Sequence, residues 1–171
     1  MQLRVPTLIA ALITAAALMM SPSMARADGP DLLTLGAGVF DFNDNETHAL
    51  GAAEIRLGKQ FLYLQPFGGL MVNGHGGGQL YLGVLADIPI GDHFRITPNF
   101  APGFYWEGEG KDLGYPLEFR SGIELAWEFD NRSRVGLAVH HLSNASIADK
   151  NPGTETITLF YSHPIEAFFG N

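Results

Sequence analysis

An imidazole and a hydroxyl two positions apart, His141 and Ser143, stand near the end of the stretch Ser133–Asn144, SRVGLAVHHLSN. In an extended strand, side chains at i and i+2 emerge on the same face. The pair therefore sets a base beside a hydroxyl, the arrangement that an activated serine nucleophile needs. Glu155 follows twelve residues after the serine and opens the stretch Thr154–Tyr161, TETITLFY. If the two stretches pair through a tight connection, its carboxylate meets the imidazole and fixes the ring tautomer, as the third member of a hydrolytic triad does. The competing reading is three ordinary polar residues at a strand end in water.

Parity decides which way these groups point. Val135, Leu137 and Val139 share a face with His141 and Ser143, while Gly136, Ala138, His140 and Leu142 share the other. Glu155 has the parity of Ile157, Leu159 and Tyr161. The three polar residues thus continue an oily surface, and a carboxylate on such a wall is costly unless it is partnered or close to headgroups. His140 has the opposite parity and is expected to be an interior residue outside the site.

The elements that position them are segments of alternating polarity separated by turn chemistry. Eight are expected, at 32–42, 48–58, 62–73, 78–88, 93–107, 115–129, 133–144 and 154–166. The sixth alternates most clearly: Leu117, Phe119, Ser121, Ile123, Leu125, Trp127 and Phe129 fall on one face, and Glu118, Arg120, Glu124 and Glu128 on the other. A soluble sandwich buries the oily face and a small membrane barrel turns it to lipid, so this pattern alone fits both. The connections favour a barrel. The first, third, fifth and seventh read as the longer ones and belong on the outer rim, as in outer-membrane barrels. Tyr105, Trp106, Tyr115, Trp127 and Phe129 gather near strand ends, where interfacial girdles lie.

Residues 1–27 have the grammar of a secretory signal: Arg4, the apolar run Leu8–Met20, and Ala25-Arg26-Ala27 as a cleavage site. A retained anchor is the alternative. Residues 28–171 form one domain, with eight basic against eighteen acidic residues once Arg4 and Arg26 are set aside, and no cysteine. That balance argues against nucleic acid, and an exported chain without cysteine takes its stability from burial or strand closure. No mature segment has the roughly 20 apolar residues of a membrane helix, so membrane entry requires a closed barrel. The expected fold is all-β, an eight-stranded antiparallel transmembrane up-and-down barrel.

Other chemistry is not expected. His48, His75, His93 and His163 lack metal-ligand spacing, and neither a catalytic metal nor a cofactor is predicted. Asp41, Asp44 and Glu46 read as a solvated acidic loop rather than a cation site. The run Gly74–Gly78 reads as a hairpin connection, since no helix follows to make it a phosphate loop.

The segment His141-Leu-Ser-Asn144, with Glu155, Leu159-Phe160-Tyr161 and Pro164-Ile165 behind it, resembles the C-terminal signature of the lipid A 3-O-deacylase (PagL) family of outer-membrane enzymes. The resemblance is sharp over about the last 35 residues and around Phe119. It implies an eight-stranded outer-membrane barrel that removes the ester-linked acyl chain at position 3 of lipid A without a metal. Carried over by position, Ser143 is the nucleophile, His141 the base and Glu155 the orienting acid. Asn144 and Asn151 match asparagines that support the oxyanion or the loop, and Phe119 an aromatic beside the substrate groove. The implied partners are lipopolysaccharide and the outer membrane, and a homodimer stays open. The rival functions are a non-enzymatic structural or adhesion barrel and a phospholipid esterase.

Overall fold

A computed structural model describes residues 29–44 and 47–169. The signal-peptide expectation and Glu46 lie outside them. Among the described residues nine strands are present: β1 (Leu32–Phe40), β2 (His48–Arg56), β3 (Gln65–Asn73), β4 (Gly78–Leu85), β5 (Ile88–Ile90), β6 (Phe94–Trp106), β7 (Leu117–Glu128), β8 (Arg134–Ser143) and β9 (Thr154–Pro164). One helical turn, α1 (Glu166–Phe169), follows. Both β4 and β5 pair with β6, so β5 resumes the path of β4 after a break at Ala86 and Asp87. The ring therefore has eight crossings, every neighbour antiparallel. It closes where β1 pairs with β9, from Leu32↔Pro164 to Phe40↔Thr156.

Closure leaves no sheet edge, which is the condition for backbone to cross hydrocarbon. Side-chain parity then sorts residues between the two faces. Leu35, Ile55, Leu70, Leu80, Leu82, Ile123, Leu125, Leu137 and Leu159 are exposed on the outside. Glu54, Arg56, Arg95, Asn99, Arg120, Glu124, Glu128, Arg134 and His140 are buried inside. A soluble sandwich would reverse this distribution, so the ambiguity of the sixth segment resolves in favour of a barrel with a lipid-facing wall.

The interior charges are held in pairs. Arg56 donates to Glu124 at 2.7 Å and to Glu54 at 2.6 Å, and Glu54 also accepts from Arg120 at 3.0 Å and from the Tyr81 hydroxyl at 2.8 Å. A second group ties Arg95 and Arg134 to Glu128, with Arg134 also reaching Asp87. Nearer the rim that carries Ser143, the filling turns apolar, with Phe40, Leu50, Met71, Tyr105, Leu113 and Leu142 in one cluster.

Three local expectations need correction. Residues 61–64 form a turn closed by Phe61 N→Leu64 O and Leu64 N→Phe61 O, with Leu62 and Tyr63 at positive φ, so β3 begins at Gln65 rather than Leu62. A turn built without Gly, Asn or Pro carries no composition signal. The second connection is thereby longer than the third at 74–77, and the expected alternation of loop lengths is weaker than it reads in sequence. Tyr105 is not in a girdle: it is buried in the barrel and its hydroxyl donates to Lys111 O.

Candidate active site on the outer wall

Strands β7, β8 and β9 lie side by side, and their register sets the site. Across them Ser121 pairs with His141, and His141 with Glu155; one step nearer the rim, Phe119 pairs with Ser143. All five have outward parity. His141 is 48% exposed and Glu155 31%, whereas the adjacent His140 is buried inside within 3.3 Å of Arg120. Below them the wall is Val135, Leu137, Val139, Ile157, Leu159 and Tyr161, all exposed.

His141 Nδ1 lies 2.9 Å from Glu155 Oε1. A carboxylate offers only acceptors, so Nδ1 carries the proton and donates it, and Nε2 is left with a lone pair. Ser143, the last residue of β8, is half-buried, and its hydroxyl takes no hydrogen bond from or to another described residue. No His141–Ser143 hydrogen bond is formed. Contacts of this kind often tighten only when substrate binds. The C-terminal side of the imidazole is bounded by Gly153, where a Cβ would stand 3.0 Å from His141 Cε1.

The connection after Ser143 is tightly built. Asn144 is fully buried and turns inward, and its amide donates to Leu113 O at 3.0 Å and Lys150 O at 2.7 Å. Its Oδ1 accepts from Ser146 N, and its own N–H donates to Asn151 Oδ1 at 3.0 Å. The two asparagines thus hold the loop that follows the serine. Ala145 and Ser146 both adopt positive φ, an uncommon conformation for residues with a Cβ.

Phe119 stacks on Phe100, ring centroids 5.8 Å apart and 14° from parallel, and together they make an aromatic floor beside Ser143. Sequence reasoning singled out neither Phe100 nor Ser121. Ser121 was detectable as the one polar residue in the outward series from Leu117 to Phe129.

Comparison with known proteins bears on this wall. The family described as Lipid A 3-O-deacylase (PagL) matches residues 89–164. A curated relative, "Lipid A deacylase PagL" of Pseudomonas aeruginosa, is 38% identical over 55 residues, which cover 32% of this chain and 32% of the relative. The aligned stretch therefore spans about a third of that relative's length. Among solved structures, "Crystal structure of the outer membrane enzyme PagL" superposes with a TM-score of 0.64 at 21% identity, covering 78% of this chain and 99% of that one. That likeness concerns the fold. The family thus matches over the strands that carry His141, Ser143 and Glu155, and the solved barrel, matched along nearly its whole length, has the same closed β-barrel fold as this chain.

Proposed function

We propose that this chain is a lipid A 3-O-deacylase in which Ser143, His141 and Glu155 act as a hydrolytic triad on the outer wall of the barrel. The observation that carries the reading is the 2.9 Å contact between His141 Nδ1 and Glu155 Oε1, on the same face and at the same rim as the Ser143 hydroxyl. The family match over residues 89–164 suggests the substrate class.

The chemistry follows from these positions. Ser143 Oγ attacks the carbonyl carbon of the acyl ester while its proton passes to His141 Nε2. Glu155 stabilises the imidazolium that forms and keeps the ring oriented. The tetrahedral intermediate then expels the sugar oxygen at position 3, which takes the proton from His141 and leaves an acyl-serine. Water attacks this ester with His141 again accepting the proton, and the fatty acid departs from a regenerated serine.

The side-chain donors of Asn144 are committed to Leu113 and Lys150, so its part is to hold the loop, together with Asn151. The oxyanion then falls to backbone N–H groups just after the serine, where Ala145 N has no acceptor among the described residues. Losing one such donor typically costs about 3–4 kcal/mol in the transition state. A nucleophile on the lipid-facing wall suits a substrate that arrives by lateral diffusion, with acyl chains lying along Phe119, Phe100 and the aliphatic surface below. Incubating the purified protein separately with lipid A and with glycerophospholipid tests the substrate class. Release of fatty acid from lipid A alone is expected, and release from glycerophospholipid alone would replace this reading with a phospholipid esterase.

A further inference from the structure

Asp41 reads in sequence as part of a solvated acidic loop, and the structure overturns that. It is fully buried at the end of β1, and Lys111, from the connection between β6 and β7, reaches its Oδ1 at 2.7 Å. The same oxygen accepts the Thr154 hydroxyl at 2.7 Å, and the Asp41 backbone N–H donates to Glu155 O at 2.8 Å. Asp41 therefore grips two consecutive residues of β9, once through its side chain and once through its backbone. The second of those residues carries the carboxylate that meets His141.

We propose that Asp41 is a positioning residue for Glu155, acting through Thr154, with Lys111 as its counter-ion. The inference rests on the reading that Glu155 orients His141. Glu155 stands on the first strand positions after the loop 144–153, where the ladder with β8 has just begun at Leu142↔Thr154. A strand end held by few ladder bonds frays, and a carboxylate displaced by a fraction of an ångström loses its alignment with the imidazole. The clasp from β1 supplies the missing restraint on the side away from β8. Its geometry needs an acceptor in a left-handed backbone, and Asp41 has φ 56. Asparagine tolerates that conformation and alanine does so poorly. Burial disfavours the Lys111 charge, but hydrogen bonds to Asp41 and Asp44 outweigh it and raise its pKa.

The test is a set of steady-state measurements on purified Thr154→Val, Asp41→Ala and Asp41→Asn, each alone and combined with Glu155→Gln, with folding verified by heat-modifiable gel mobility. Thr154→Val and Asp41→Ala are expected to lower kcat about ten-fold with KM unchanged. Asp41→Asn, which keeps the acceptor for Thr154, recovers part of the loss. In the Glu155→Gln background none of the three lowers kcat further, because the carboxylate they position is gone. If Asp41→Ala does not fold, Thr154→Val and Asp41→Asn carry the comparison. Wild-type kcat in Thr154→Val, or an equal loss with and without Glu155→Gln, overturns the proposal while leaving the triad intact. Wild-type kcat in Glu155→Gln alone overturns the triad reading and this inference with it.

Discussion

His141 and Glu155 face one another across a directly paired position of β8 and β9, and their side chains meet at 2.9 Å between Nδ1 and Oε1. The strand ladder thus sets the separation of the imidazole and the carboxylate, and each takes its direction from the pleat.

Glu155→Gln keeps the shape of this contact and removes its charge. In the proposed acyl transfer the imidazolium then has no counter-charge, and the neutral amide no longer dictates which ring nitrogen carries the proton. We expect kcat to fall by roughly 10²-fold or more with KM little changed. Initial rates on lipid A in detergent micelles check this, and a variant with wild-type kcat would contradict the role given to the carboxylate.

Gly153 has φ +67, and its missing Cβ leaves room for the imidazole edge. Gly153→Ala imposes a left-handed penalty of about 1–2 kcal/mol and presses on His141 from 3.0 Å. Gly76 provides the control: its φ is +75, and a Cβ there meets nothing within 4 Å. Kinetics should show kcat lowered about ten-fold in Gly153→Ala and unaltered in Gly76→Ala. Equal rates in the two variants would mean that the glycine serves the turn alone.

Arg56 is the hub of the interior charges, since its guanidinium bridges Glu54 and Glu124. Arg56→Ala leaves two buried carboxylates facing each other without that bridge, a change that typically costs about 3–5 kcal/mol. Urea unfolding in lipid vesicles, followed by heat-modifiable mobility, should show a clear loss of stability. The folded fraction should keep normal activity, because none of these groups reaches the outer wall. A variant as stable as wild type would show that the network does not hold the barrel.

Much of this arrangement was legible in the chain itself, and the reason is the period of two. His141, Ser143 and Glu155 each share parity with an aliphatic series, so their outward direction follows from counting. The same count would have put Tyr105 inside with Arg95, Thr97 and Asn99, all of which are buried, had aromatic character not drawn it to a girdle. Asp41 was beyond such counting. Its partners Lys111 and Thr154 are 70 and 113 residues away, and only the closure of β1 against β9 brings them together. Asn144 continues the inward parity of Ala138, His140 and Leu142, but its partners Leu113 and Lys150 come from separate connections that no count reaches.

The central claim is that the hydroxyl at position 143 attacks the 3-position ester of lipid A from the outer wall. Mass spectrometry of lipid A from cells expressing either the wild type or Ser143→Ala at equal barrel levels tests it most directly. The wild type should yield lipid A lighter by one acyl chain at position 3, and Ser143→Ala should leave that chain in place. The same acylation in both would contradict the account.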